Sequence, residues 1–111
     1  MTKFKVAFEG LLFALKDRSI LIQVVLGSGA LVLAWILCFT FMEWIAVLLC
    51  IGLVITAEMF NTCIEKLCDM VEPNFSIKIK TIKDMASGAV LLASFISLVV
   101  GCILIMQHLG G

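Results

Sequence analysis

Two stretches of this chain contain no charged residue, Ser19 to Met42 and Met85 to Gln107, and each is more than twenty residues long. A helix rises about 1.5 Å per residue, so either run is long enough to cross the ~30 Å of a bilayer's hydrocarbon. Inside hydrocarbon the backbone must satisfy its own hydrogen bonds, so such a run folds as a helix. A third run, Trp44 to Ala57 (WIAVLLCIGLVITA), is also uncharged but has only fourteen residues, roughly 21 Å of helix. It spans only if the helix continues through Glu58, Asn61, Thr62, Glu65 and Asp69. Composition argues against a soluble bundle. With 63% hydrophobic and 14% charged residues in a chain of 111, too little polar surface remains to cover such helices. The expected fold is an all-α membrane protein in one domain, residues 1–111. Transmembrane helices are predicted near 20–41, 44–68 and 87–107, after an amphipathic surface helix over 3–16.

The charges agree with that topology. All eight Lys and Arg lie before the first span (Lys3, Lys5, Lys16, Arg18) or around the connection from the second to the third (Lys66, Lys78, Lys80, Lys83). The positive-inside rule predicts the N-terminus and that connection in the cytoplasm, with Phe39, Phe41 and Trp44 forming an aromatic belt at the outer end. Residues 3–16 place Phe4, Phe8, Leu11, Leu12 and Leu15 on one face. Lys3, Lys5, Glu9 and Lys16 lie opposite or at the flanks, the pattern of a helix lying in the membrane interface. Phe13 departs from it. Pro73 closes the second helix. From Asn74 to Lys83 the residues fit a strand (Ile77 and Ile79 alternating with Lys78 and Lys80) as well as a helix (Phe75, Ile79, Ile82, Ala86). Ala89, Ala93, Ser97 and Gly101 recur every fourth position, a small-residue row that lets helices approach within a protomer or across an oligomer. The five cysteines, odd in number and without a CxxC pair, are expected to be small buried hydrophobes. No cleavable leader is expected, because the first apolar run exceeds a signal's length and no small-residue cleavage site follows it. A net charge of zero gives no reason to expect nucleic acid as a partner.

Glu58, Asn61, Thr62, Glu65 and Asp69 are spaced i, i+3, i+4, i+7, i+11, which is one stripe of a helix. A charge at membrane depth costs on the order of 2.5–3.5 kcal/mol on insertion scales, and such residues mark functional sites by default. Carboxylates gathered in a low-dielectric site need a cation or a proton among them. Glu65 and Asp69, one turn apart near the cytoplasmic boundary, suit Mg²⁺, which takes one or two carboxylates and leaves its other positions to water and phosphate. Lys80 and Lys83 are placed to neutralise phosphates, with Asp84 and Ser87 alongside. Glu58 lies about 10 Å deeper than Glu65. A carboxylate there is a stronger base when ionised, at a depth that suits a lipid hydroxyl. Asn61 is positioned to orient either Glu58 or a phosphate oxygen. The layout points to phosphoryl transfer from a nucleotide to a membrane alcohol, a reaction in which positioning and charge stabilisation supply most of the catalysis. Two other readings use the same residues: an oligomeric ion or proton conduit, and a structural subunit that packs through its third helix. There is no Walker A loop or kinase Gly-rich loop, and Gly27 and Gly29 are too isolated and too deep to cradle a phosphate.

The run Glu58-Met59-Phe60-Asn61-Thr62-Cys63-Ile64-Glu65, followed by Asp69 and then by Lys83-Asp84-Met85-Ala86-Ser87-Gly88-Ala89-Val90, strongly resembles the prokaryotic diacylglycerol kinase/undecaprenol kinase family. The resemblance extends over nearly the whole chain. It implies an integral homotrimer of the bacterial plasma (inner) membrane, with active sites shared between neighbouring subunits at the cytoplasmic interface. It also implies ATP as phosphate donor, Mg²⁺ as cofactor, and undecaprenol or diacylglycerol as acceptor. By this resemblance Glu58 falls on the catalytic base, Asn61 on the amide beside it, and Glu65 on a metal-binding carboxylate. Asp69, Lys83 and Asp84 fall on nucleotide-contacting positions. Asp17 stands where the family usually has a glutamate that joins the metal site. Cys63 replaces a usual small residue, and residues 19–23 (SILIQ) lack the family's polar and aromatic residues. Val71-Glu72-Pro73 and Glu43-Trp44 look more like the undecaprenol kinases of Gram-positive bacteria than the diacylglycerol kinases of Gram-negative ones. Undecaprenol phosphorylation is therefore the expected activity, with diacylglycerol as the alternative acceptor.

Overall fold

The computed structural model describes residues 2–110; Met1 and Gly111, the ends of the expected domain, lie outside them. The described residues form four helices: α1 (Thr2–Ala14), α2 (Arg18–Ile36), α3 (Phe41–Val71) and α4 (Ile77–Leu109). The last three are each long and apolar enough to cross a membrane. The protein is thus an all-α multi-pass membrane protein with one additional N-terminal helix. The third apolar run is completed as its length requires, because α3 continues unbroken through Glu58, Asn61, Glu65 and Asp69.

Helix boundaries have local causes. At Leu15 and Lys16 the chain turns out of α1, two residues short of the expected end. Asp17 then caps α2, its Oδ1 accepting from the backbone N–H of Ser19 at 3.0 Å and of Ile20 at 3.3 Å. α2 ends at Ile36 rather than near 41. Cys38 takes the left-handed conformation, φ 57°. The N–H groups of Cys38 and Phe39 turn back to the carbonyls of Trp35 and Ala34 at 3.2 and 3.1 Å, which closes the helix in a Schellman motif. Glycine is the usual residue there, and a side chain at that φ costs about 1–2 kcal/mol. Two residues on, Thr40 and Glu43 form a reciprocal capping box that starts α3. The ambiguous stretch before the last span is helical from Ile77, not a strand. Thr81 Oγ1 donates to the Ile77 carbonyl at 2.9 Å, and Lys80 pairs with Asp84 at 2.6 Å. Ile79, Lys83, Ala86 and Val90 lie half-buried at helical spacing.

α3 occupies the middle. It packs on α4 and on α2, while α2 and α4 hardly touch each other. The smallest extent of the molecule is 19 Å, under two helix diameters. Very few side chains are buried: Ile20, Ala34, Val54, Cys68, Ala93 and Leu104. Large apolar groups such as Leu26, Trp35, Leu91 and Phe95 are exposed, as expected of a chain whose solvent is lipid. Lipid provides no hydrophobic drive between helices, so close packing and polar contacts hold them. Gly27 lets α2 approach α3, since a Cβ there would lie 2.9 Å from Ile51 Cγ2. Within the small-residue row of α4, Ala93 is buried and the Ser97 hydroxyl donates to the Cys50 carbonyl at 3.4 Å. The space beside Gly101, by contrast, is open.

One off-pattern residue finds its partner, and two expectations change. Phe13, off-pattern in α1, has its ring 5.2 Å from Lys16 Nζ and 5.5 Å from Lys66 Nζ, so it ties a helix with no buried residue to α3 through cation–π contact. Phe39 stacks on His108, ring centroids 4.8 Å apart, rather than pointing outward with Phe41. His108 Nε2 also lies 2.8 Å from Glu43 Oε1, which joins the end of α4 to the start of α3. Cys38, Cys63 and Cys102 are exposed and only Cys68 is fully buried, because most positions on these helices face lipid rather than protein. Replacing Cys38 by glycine removes the left-handed strain and is expected to stabilise the protein by about 0.5–1 kcal/mol. Unfolding of the detergent-solubilised protein would show this as a raised midpoint; a lowered one would refute the assignment of strain.

Candidate active site

At one end of the bundle, the polar stripe of α3 meets the N-terminus of α2 and the first turns of α4. α2 lies antiparallel to α3, so Asp17, at its start, arrives beside the stripe. Asp17 and Glu65 both lie within electrostatic range of Glu58. The three carboxylates expected in base and metal roles are therefore neighbours, although they come from two helices. Glu58 is half-buried and Glu65 exposed, as expected for positions two turns apart on a helix that emerges from an apolar layer.

Asn61 stands between them. Its Nδ2 donates to Glu65 Oε1 at 2.7 Å. A carboxylate only accepts, so the amide must turn its NH₂ toward Glu65. Asn61 Oδ1 is left buried with no partner. An orphaned acceptor of this kind calls for a donor or a cation. Asp17 commits Oδ1 to the backbone of α2, which leaves its second carboxylate oxygen outside the cap. Among the described residues, no three His, Cys, Asp or Glu side chains gather closely enough to enclose a metal by themselves. The available donors are nonetheless all hard oxygens: a Glu65 carboxylate, the second Asp17 oxygen and the Asn61 carbonyl. This set fits Mg²⁺, which ordinarily takes one or two carboxylates and completes its shell with water and phosphate oxygens.

The lysines divide. Lys83 is on the face of α4 turned to α3 and pairs with Asp69, with Glu65 also in electrostatic range. Asp69 is largely exposed, so this ion pair fixes position more than it adds stability. Asp84 follows Lys83 in sequence but is turned some 100° around the helix and pairs with Lys80 instead. The fold thus gathers Asp17, Glu58, Asn61, Glu65, Asp69 and Lys83 into one neighbourhood and places Asp84 at its edge. Lys66 joins the rim without a sequence motif to mark it; it lies over Phe13, and the irregular position of Phe13 in α1 is its only signal.

The capping and electrostatic roles of Asp17 are separable. Asp17→Asn keeps a good N-cap and removes the charge, so its unfolding midpoint in detergent is expected to match the parent. Asp17→Ala loses the cap as well and is expected to destabilise by about 1 kcal/mol. Equal midpoints for the two variants would contradict the cap geometry.

Comparison with known proteins extends over the same residues. The family described as prokaryotic diacylglycerol kinase matches residues 5–105, a stretch that runs from α1 through the carboxylate stripe and most of the way along α4. An undecaprenol kinase from Bacillus subtilis (strain 168) is 26% identical over 93 residues, covering 84% of this chain and 76% of the relative. No solved structure matches.

Proposed function

Since the chain belongs to the prokaryotic diacylglycerol kinase family, and is therefore a membrane kinase, we propose that it transfers the γ-phosphate of ATP to the primary hydroxyl of undecaprenol. The whole chain acts as a single kinase domain, assembles as a homotrimer, and works at the cytoplasmic face of a bacterial plasma membrane. The position of the basic residues favours that face. The observation that carries the reading is the neighbourhood of Asp17, Glu58 and Glu65 at the edge of an apolar span. It is an expensive arrangement in lipid unless it handles a cation and a proton.

In this reading Glu58 is the base. The acceptor oxygen forms a bond to the γ-phosphorus as the bond from that phosphorus to the β–γ bridging oxygen breaks. ADP departs, and the hydroxyl proton passes to Glu58. Glu65 and Asp17 would hold Mg²⁺, and the Asn61 carbonyl oxygen is a further acceptor without a partner beside Glu65. The ion supplies charge neutralisation on the phosphates. Asn61 fixes the rotamer of Glu65 through its 2.7 Å hydrogen bond. Lys83 neutralises phosphate charge once the nucleotide competes with Asp69 for it, and Asp84 contacts the nucleotide from the rim. Diacylglycerol is the second acceptor reading. It is favoured by the family's description, whereas the name of the Bacillus relative favours undecaprenol.

Purified protein given MgATP and each lipid separately is expected to phosphorylate undecaprenol faster than diacylglycerol. Glu58→Gln is expected to lower kcat by about 10²–10⁴-fold with unchanged elution on size exclusion. Full activity of Glu58→Gln would remove the assigned base, and ATP-independent ion flux across liposomes without any lipid phosphate would replace the kinase by a conduit.

A further inference from the structure

Two lysines at the carboxylate end are held by an aromatic ring instead of an acid. Lys16 Nζ lies 5.2 Å and Lys66 Nζ 5.5 Å from the centre of the Phe13 ring. Lys80 and Lys83 are paired with Asp84 and Asp69. Among the described residues, Lys16 and Lys66 form no ion pair. The acids next to them in sequence are engaged elsewhere: Asp17 Oδ1 with the backbone of α2, and Glu65 Oε1 with Asn61. A cation–π contact at an exposed site is weak, and two ammonium groups gathered on one ring repel each other. The pair therefore keeps most of its attraction for an anion.

The turn that ends α1 sets the pair in place. The Lys16 N–H donates to the Phe13 carbonyl at 3.1 Å and the Asp17 N–H to the Ala14 carbonyl at 3.0 Å. One turn thus delivers Lys16 to the ring and Asp17 to the carboxylates. On α3, Lys66 directly follows Glu65 and stands about 160° around the helix from Cys68. Cys68 is buried and within electrostatic range of Lys83, so it marks the α4 side of the acidic stripe. Lys66 marks the other side, with Glu65 and Asp69 between them. The stripe is therefore flanked by lysine twice, by Lys83 from α4 and by Lys66 with Lys16 on the side of α1. The first flank is engaged with Asp69 and the second is not. A nucleoside triphosphate is strongly anionic, and Asp17, Glu58, Glu65 and Asp69 repel it. Two unengaged ammonium groups, each with three donors, offset that repulsion where phosphate oxygens would overhang the stripe. A phospholipid headgroup offers similar chemistry. The position of the lysines, one residue from Asp17 and one from Glu65, favours the nucleotide.

We propose that Lys16 and Lys66, gathered on the ring of Phe13, form a second phosphate-binding flank of the site and contact the polyphosphate of the nucleotide opposite Lys83. This deepens the lipid-kinase reading and rests on it. Neither lysine belongs to the motif formed by Glu58–Glu65, Asp69 and Lys83–Val90, so the flank is a property of this chain's own residues. Phe13 is a positioning residue: it holds the two ammonium groups together and ties them to α3.

The test uses the full-length protein in neutral detergent and an acyl-phosphate derivative of ATP, which acylates lysine amines beside the terminal phosphate. Labelling of Lys66 or Lys16 is expected, and excess MgATP is expected to suppress it; this readout needs no variant. Lys66→Met and Lys16→Met are each expected to raise the KM for MgATP about fivefold, the upper range for one exposed charge contact. The KM for the lipid is expected to stay put, and the effect to shrink at high salt. Lys66→Arg keeps the charge and the ring contact and is expected to behave like the parent. Phe13→Leu is expected to raise the KM for MgATP by less than either lysine variant, and Phe13→Trp to restore it. Labelling confined to Lys80 and Lys83 would overturn the proposal. So would a parent-like KM for MgATP in a Lys16→Met/Lys66→Met double variant that elutes normally on size exclusion. If that variant instead lost a response to phosphatidylglycerol in nanodiscs, the pair would belong to a lipid headgroup. Suppressible labelling of Lys66 together with no phosphotransfer to any lipid would overturn the kinase reading and leave the nucleotide flank standing.

Discussion

Carboxylates cannot sit in hydrocarbon without compensation, and most of the arrangement at one end of this bundle follows from that constraint. α3 has too short an uncharged run to span without its polar stripe, so Glu58 is drawn toward the apolar layer at a cost of a few kcal/mol. The neighbouring helices supply the compensation. α2 begins at that level, and the positive end of its dipole faces the stripe together with the capping aspartate. α4 extends well before its apolar run, which carries Lys83 onto the inward face, where it meets Asp69 and lies in range of Glu65. Had α4 begun only where its uncharged run begins, that lysine would have been on a loop and the acidic end of α3 would have lacked a fixed counter-charge.

The remainder of the fold shows how few contacts hold three helices when lipid is the solvent. Polar ties operate at the two ends: Lys83 with Asp69, and His108 with Glu43 under the stacked Phe39. Between them the helices meet at small residues, Gly27 against Ile51 and Ser97 against the Cys50 carbonyl. Contacts of this kind join α3 to each neighbour separately, and α2 and α4 hardly meet. A three-helix layer fixed along its central member therefore stays open between the outer two.

Much of this is legible in the sequence, and the parts that are not have physical reasons. Uncharged length announces spanning helices because hydrocarbon permits little else. The i, i+3, i+4, i+7 spacing of Glu58, Asn61, Thr62 and Glu65 puts them on one face by helical geometry alone. The N-cap role of Asp17 becomes visible only with the start of α2 at Arg18. The early end of α2 is not readable, because it depends on a cysteine in a conformation that normally asks for glycine. Residues 74–83 alternate well enough for a strand, and only the attachment of a long membrane helix downstream decides the matter. The partners of the lysines are hidden as well. Lys80 and Asp84 form an ordinary i,i+4 pair, but Lys83 and Asp69 are fourteen residues apart and meet only because α3 and α4 pack antiparallel.

One face of α3 thus serves two solvents. Its apolar half faces the gap between α2 and α4 and its acidic half lies under the lysine of α4 and the cap of α2, with Glu58 at the join. For a kinase whose acceptor is a lipid alcohol, this geometry bears on the competing reaction, transfer of phosphate to water. A base placed among the outer carboxylates would meet water as readily as an alcohol. A base at the apolar limit of the stripe faces the hydrocarbon side of the span, where water is scarce. In the proposed reading, selection of alcohol over water follows from the register of a single helix: Glu58 stands one turn beyond the buried Val54 on α3, and a shift of that register by a turn in either direction would expose the base or strand it in hydrocarbon.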